Sequence, residues 1–353
     1  MSDNFDQVLF EIRGGIGLIT LNRPKALNSL TWDMCNAITA QLDDWKTDPR
    51  VRAVVVSAAG EKAFCAGGDV VMVANAIKAG SDDGFNFFHD EYLMNIAIKE
   101  YPKPYISLVD GIIMGGGVGV SVHGDFLVGS EKTLFAMPET AIGLFPDVGG
   151  GWFLPRLPGE TGMFLALTGA RIKVADIYVL GIASHVVPSD KHAELIETLA
   201  KADIHCEGCV KTILDTFHTD PGSAPLAQYM DMIDEHFSGV SIEDIVRSLE
   251  NDSDEWCQKQ YTAIMRMSPT SLKVTYEQLR RGGALDSFRE NMKMELRIDA
   301  QIEKGNDFVE GVRALLIDKD NAPKWSPSTL ADVTERDVAN HFENIGSREL
   351  RIG

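Results

Sequence analysis

The chain has 353 residues, 44% of them apolar and 24% charged, with 33 basic against 52 acidic side chains and a formal net charge of −19. At roughly 150 residues per domain this length suggests about two domains and ample material for a core, and the composition lies outside the disordered, collagenous and disulfide-scaffold classes. The summed negative field repels polyanions, so neither nucleic acid nor an anionic membrane surface is an expected partner; an anionic small ligand would need a few local cations or oriented backbone N–H groups.

In chain order, Val8–Arg13 and Ile16–Leu21 are apolar runs joined at Gly14-Gly15, a pair suited to a hairpin turn. From Leu30 to Trp45 apolar residues recur at spacings of mostly three and four, with Thr31 as a cap and Pro49 beyond the end, which predicts an amphipathic helix. Val51–Ser57 is a β-branched run of the kind buried in a parallel sheet, and Tyr105–Val109 and Phe126–Val128 repeat that signal. This alternation predicts an α/β layer architecture. After about Val187 the pattern turns helical: Lys191–Ala202, Cys209–Phe217, Ile242–Leu249, Asp254–Met267, Pro269–Arg280, Ser287–Lys304 and Val333–Phe342 carry periodic apolar residues. Asp220–Pro225 is the most linker-like break. No repeat of fixed period and no low-complexity tract is present.

The first six residues (Met1-Ser2-Asp3-Asn4-Phe5-Asp6) lack a basic n-region and an apolar h-region, and no apolar run approaches about 18 residues, so neither secretion nor a membrane span is expected. Five cysteines (Cys35, Cys65, Cys206, Cys209, Cys257) are few and odd in number, as in a reducing compartment. A cytoplasmic location is expected, or the mitochondrial matrix for a processed eukaryotic protein.

Glycine concentrates where chemistry would need it. Gly115-Gly116-Gly117 follows the strand Tyr105–Val109 and precedes Val118–Val122, a stretch able to open a helix. Consecutive glycines let backbone approach a ligand, and a helix start leaves N–H groups unsatisfied. Phe64-Cys65-Ala66-Gly67-Gly68-Asp69 is a second such turn. Either both are tight turns packed without ligand, or each aims one N–H at a single developing negative charge, as an oxyanion hole requires. The acid–base candidates are Glu139 and Asp147, eight residues apart in the apolar, glycine-rich segment Phe135–Gly151. Desolvation there penalises the charged form, which marks function, although each acid alone also reads as a helix cap or loop residue.

Other chemistries fail on spacing. Gly119-Val120-Ser121-Val122-His123 has His123 where a nucleophile elbow needs glycine. Gly15-Ile16-Gly17 and Gly117-Val118-Gly119 lack the third glycine of a dinucleotide fingerprint. His205-Cys206-Glu207-Gly208-Cys209 offers at most three local ligands where structural zinc takes four, so no metal is expected. Phe85, Phe87 and Phe88 read as core.

At Leu21–Asn28 (LNRPKALN), Ala63–Asp69 (AFCAGGD), Gly111–Val122 (GIIMGGGVGVSV), Phe135–Gly151 (FAMPETAIGLFPDVGGG) and the tail Ile317–Trp325 the chain resembles the crotonase (enoyl-CoA hydratase/isomerase) superfamily, and within it the subgroup that hydrolyses 3-hydroxyisobutyryl-CoA. The resemblance implies a spiral of repeated ββα units over residues 1–200 and an extended helical C-terminal region over 201–353. It puts the two peptide donors to the thioester oxygen at Gly68 and Gly116. The hydratases' first catalytic glutamate falls at Gly119, which has no side chain, and their second at Glu139. The hydrolase subgroup's acid pair falls on Glu139 and Asp147, with Glu91 as a further substrate contact. CoA would lie near Arg23, Lys25 and Ala66. The implied activity is hydrolysis of a short β-hydroxyacyl-CoA thioester in valine breakdown, with CoA part of the substrate and no separate cofactor, in a chain able to form a homo-oligomer. The alternatives are another crotonase-type acyl-CoA reaction, or a non-catalytic RNA- or ribosome-associated homologue.

Overall fold

Strands β1 (Val8–Arg13) and β2 (Ile16–Leu21) form the expected antiparallel hairpin, in register from Val8 opposite Leu21 to Arg13 opposite Ile16. In the computed structural model, which describes residues 7–351, this hairpin edges a six-stranded sheet; the N-terminal hexapeptide read above for targeting lies outside the described residues. Strands β3 (Ala53–Ala58), β4 (Ala63–Cys65), β5 (Tyr105–Val109), β6 (Ile112–Met114), β7 (Phe126–Gly129), β8 (Leu134–Ala136), β9 (Ile172–Lys173) and β10 (His185–Val186) follow. The larger sheet runs β1-β2-β3-β5-β7-β10, parallel from β2 onward, and the smaller runs β4-β6-β8-β9.

Val54, Val55 and Val56 are fully buried, which is why β3 reads as an unbroken apolar run and not an alternating one. The helix expected from Leu30 is Trp32–Thr47, capped by the Thr31 hydroxyl, with Met34, Ile38, Leu42 and Trp45 on its buried face.

The chain divides into two units, each built from three segments. The first comprises the described residues up to Gly68, Leu93–Phe135 and Ile172–Ala227; the second comprises Asp69–Tyr92, Ala136–Arg171 and the described residues from Gln228 on. The linker-like stretch Asp220–Pro225 thus lies just before a unit boundary. Both sheets belong to the first unit except for Ala136 at the end of β8, and the core of that unit joins Leu18, Val55, Ile106 and Val128 to Leu195, Leu199 and Leu214 of the helices His192–Lys201 and Glu207–Phe217.

The second unit is helical. Four of its helices, Ile242–Asn251, Glu255–Ile264, Pro269–Ala284 and Phe288–Ile302, start at Ser241, Asp254, Ser268 and Ser287, each accepting a hydrogen bond from the first turn. Such caps contribute about 1 kcal/mol apiece. Phe164, Phe237, Tyr229 and Trp256 pack as one aromatic cluster, with ring centroids 5.1–6.5 Å apart. Phe85, Phe87 and Phe88 are buried, as expected.

Candidate active site

The two glycine turns meet within the first unit. Strand β4 pairs in parallel with β6, so the segments leaving their carboxyl ends, Ala66–Gly68 and Gly115–Gly117, emerge side by side. Gly115 takes φ 45° and turns the chain into the short helix Gly116–Gly119, which begins before the stretch read from sequence. A Cβ on Gly117 would lie 2.3 Å from the Cys65 carbonyl oxygen, so only glycine allows this approach. Ala66 N–H is spent on Leu27 O (3.0 Å) and Gly67 O accepts from Leu30 N–H (2.9 Å). Among the described residues neither Gly68 N–H nor Gly116 N–H donates to a protein acceptor. Two unspent donors on adjacent turns are what an incoming oxyanion needs.

The turn carrying the two basic candidates belongs to the same unit. Buried Asn28 accepts from Arg23 N–H (2.8 Å) and donates to Ala59 O and Ala63 O (both 2.9 Å), pinning Arg23–Asn28 to the β3–β4 connection. The Arg23 guanidinium donates to Ser29 O (2.6 Å), whereas Lys25 is exposed and lines a surface groove of about 460 Å³ with Lys62.

The carboxylates cluster within the second unit. Glu139 opens a single helical turn, Glu139–Ile142, ended by Gly143 at φ 74°. Asp147 sits in the following loop, where Val148 at φ 49° and Gly149 at φ 87° turn the chain sharply before the helix Gly150–Phe153. A β-branched residue in the left-handed region costs about 1–3 kcal/mol and persists only where the surroundings enforce it. Here the enforcement comes from Glu295. Its carboxylate accepts from Gly149 N–H (2.7 Å), Gly151 N–H (2.9 Å), Asn291 Nδ2 (2.8 Å) and Gln278 Nε2 (3.1 Å), while Gln278 also donates to Pro146 O (2.7 Å).

Glu91 and Tyr92, from the helix Asp83–Lys99, face this loop. Tyr92 Oη lies 3.2 Å from Asp147 Oδ2 and makes a hydrogen bond with Asp299 Oδ2. Glu91, Glu139, Asp147, Glu295 and Asp299 are all at most 5% exposed. Burial, reinforced by Asp147, raises Glu139 and Glu91 well above the ordinary carboxyl range. Asp147 is pushed up to about 8 by burial and then by Glu295, against the opposing Tyr92 hydrogen bond. Glu295 rises to about 7 because burial outweighs its four donors. Among the described residues, one oxygen of Glu139 and one of Glu91 have no hydrogen-bond partner. Asp147 and Glu295, held up to about 8 and about 7, exchange protons near neutral pH, as general acid–base work demands.

A family model described as enoyl-CoA hydratase/isomerase matches residues 16–342. The chain belongs to the enoyl-CoA hydratase/isomerase family. Its fold is the crotonase fold, with the extended helical C-terminal region that the motifs imply. Within this family, the human protein named 3-hydroxyisobutyryl-CoA hydrolase, mitochondrial, is 47% identical over 99% of this chain and 92% of its own length. The Danio rerio protein of the same name is 48% identical over 98% and 92%. Among solved structures, a carnitinyl-CoA dehydratase from Mycobacterium thermoresistibile superposes with a TM-score of 0.93 at 42% identity, covering 98% of this chain and 99% of that one. An enoyl-CoA hydratase from Rhodobacter sphaeroides superposes at 0.91 with 37% identity, covering 98% and 100%.

Of the residues singled out from sequence, Gly68 and Gly116 come together in one unit, and Glu91, Glu139 and Asp147 in the other. Gly119 is buried in the short helix and leaves the first hydratase acid without a counterpart at that position. His205, Cys206 and Cys209 do gather, with 3.1 Å between the sulfurs, as three exposed or half-exposed groups. Sequence reading missed Tyr92, Gln278, Asn291, Glu295 and Asp299. The spacing of Asn291, Glu295 and Asp299, four residues apart on one helix, was the available signal: they form a polar stripe beside buried Met292 and Leu296.

Proposed function

We propose that this chain hydrolyses 3-hydroxyisobutyryl-CoA to 3-hydroxyisobutyrate and CoA, as in valine breakdown. The observation that carries the reading is the buried pair Glu139 and Asp147, combined with glycine at 119, where the hydratase pattern has its first glutamate. An acid pair without that glutamate suits attack on a carbonyl better than addition of water across a double bond. The full-length likeness to proteins named as this hydrolase supports it further.

In this reading the Gly68 and Gly116 N–H groups receive the thioester oxygen and stabilise its developing charge, a contribution of roughly 3–4 kcal/mol per donor in comparable acyl transfers. Glu139 drives attack on the carbonyl carbon, either by taking a proton from water or as a nucleophile whose mixed anhydride water then opens. Collapse of the tetrahedral species breaks the C–S bond, and Asp147, protonated near neutral pH, supplies the proton to the departing thiolate. Glu91 contacts the substrate, and Arg23, Lys25 and the Ala66 turn hold CoA. CoA arrives with the substrate, so the reaction calls for no separate cofactor. Free thiols suit the cytoplasm, or the mitochondrial matrix for a processed chain; among the described residues no helix is long and apolar enough to cross a membrane.

Thiol release from 3-hydroxyisobutyryl-CoA, read beside straight-chain acyl- and enoyl-CoA thioesters, tests the proposal. Glu139→Gln and Asp147→Asn are expected to lose at least about 100-fold in turnover at unchanged Tm. Single turnover in labelled water separates the two roles of Glu139, because an anhydride leaves label in the protein carboxylate. Hydration of an enoyl-CoA without thiol release would overturn the reading.

A further inference from the structure

Tyr92 has one hydroxyl hydrogen and two carboxyl oxygens within hydrogen-bonding distance, Asp147 Oδ2 and Asp299 Oδ2. Both contacts are hydrogen bonds only if one of the two acids brings a hydrogen of its own. The trio Asp147, Tyr92 and Asp299 therefore holds at least two protons, the tyrosine's own and one on the acid that donates to it. The surroundings decide which acid carries the proton. Asp299 is completely buried in the helix Phe288–Ile302, its other oxygen has no hydrogen-bond partner among the described residues, and the acidic groups facing it are Asp147, Glu295 and Glu303. Asp147 faces Glu91, Glu139 and Glu295, but its own backbone N–H also donates to it, which favours the anion. Glu303 alone has a cation nearby, Arg348, with Asp82 opposing it.

We propose that Asp299 is a permanently protonated carboxyl that donates to Tyr92, and that Tyr92, so oriented, donates to Asp147 and sets the pH at which Asp147 exchanges its proton. The assignment rests on the hydrolase reading for its kinetic consequence. Tyr92 and Asp299 are positioning residues, acting through Asp147. The arrangement deepens the site without adding charge: a neutral acid supplies direction to the tyrosine hydroxyl where an ionised one would compete for its hydrogen.

Two near-isosteric variants test this. Tyr92→Phe removes the donor to Asp147, so the limb of the kcat/KM profile that belongs to Asp147 moves to higher pH by roughly one unit or more, with KM little changed. Asp299→Asn replaces the protonated acid by an amide that also donates to Tyr92, so rate and pH profile stay within about threefold and a few tenths of a pH unit of the parent. Were Asp299 ionised, the same substitution would remove a like charge and move the Asp147 limb to lower pH; that result overturns the proposal, as does an unmoved profile in Tyr92→Phe. Infrared difference spectra of the parent against Asp299→Asn supply a readout that needs no substrate. Loss of a protonated-carboxyl band near neutral pH is expected, and loss of an ionised-carboxylate band refutes it. An enzyme inert toward thioesters that still shows the protonated band would sink the function and leave the proton assignment standing.

Discussion

Replacing Glu295 by alanine removes the acceptor of four buried donors, and the cost follows from which of them can find another. The amides of Gln278 and Asn291 sit on side chains able to turn, whereas the N–H groups of Gly149 and Gly151 are fixed by the loop around Val148. Two buried backbone donors without acceptors cost about 1–3 kcal/mol each, so the variant loses ~2–6 kcal/mol. Burial of the carboxyl works the other way. It raises Glu295 from 4.5 to about 7, a difference of on the order of 3 kcal/mol between folded and unfolded proton affinities. Because the folded protein binds this proton more tightly, the associated stability is complete below pH 4.5 and is lost as pH rises through about 7. Glu295→Ala is therefore most destabilised relative to the parent at pH 5 and least at pH 8, with the gap narrowing by about 3 kcal/mol. Urea denaturation of both proteins at the two pH values checks it. An alanine variant as stable as the parent at pH 5, or a gap that widens toward pH 8, refutes the reasoning.

Asp147, held up to about 8, carries the same sign: its stabilising share is lost as pH rises through that value, so the parent's Tm should climb as pH falls from 8.5 to 7. That window lies above the range where His185, His192 and His341, held below 6.5 by burial, would add the opposite trend; a flat or falling Tm in calorimetry contradicts the assignment. Gly117→Ala drives a methyl to within 2.3 Å of the Cys65 carbonyl oxygen, so at least about tenfold in turnover and ~1–3 kcal/mol of stability should go together; unchanged kinetics would separate the glycine triplet from oxyanion binding.

The parts of the fold legible in the sequence are those whose burial imposes a period. Trp32–Thr47 and β3 could be read because one has a single apolar stripe and the other none to alternate with. Strands β4, β6, β8, β9 and β10 have only two or three residues, too short for any period. The helix Thr161–Thr168 escaped because it is buried on every side and so has no polar face. In the site, the glycines and the two acids of Phe135–Gly151 stood out as local anomalies in an apolar stretch. Tyr92, Glu295 and Asp299 did not, because on amphipathic helices a carboxylate ordinarily belongs to the solvated face. What makes them unusual is partnership across long separations, such as the 207 residues between Tyr92 and Asp299.

That separation has a cost during synthesis. At roughly 5–20 residues per second, Tyr92 is made some 10–40 seconds before Asp299. Until Glu295 is made, the N–H groups of Gly149 and Gly151 are without the carboxylate that later accepts from them. A nascent chain ending before residue 299 thus carries buried-type acids with nowhere dry to go, which makes about the last sixth of the polypeptide a checkpoint: loss of it by a premature stop should yield a product cleared by chaperones and proteases, and not a slower enzyme.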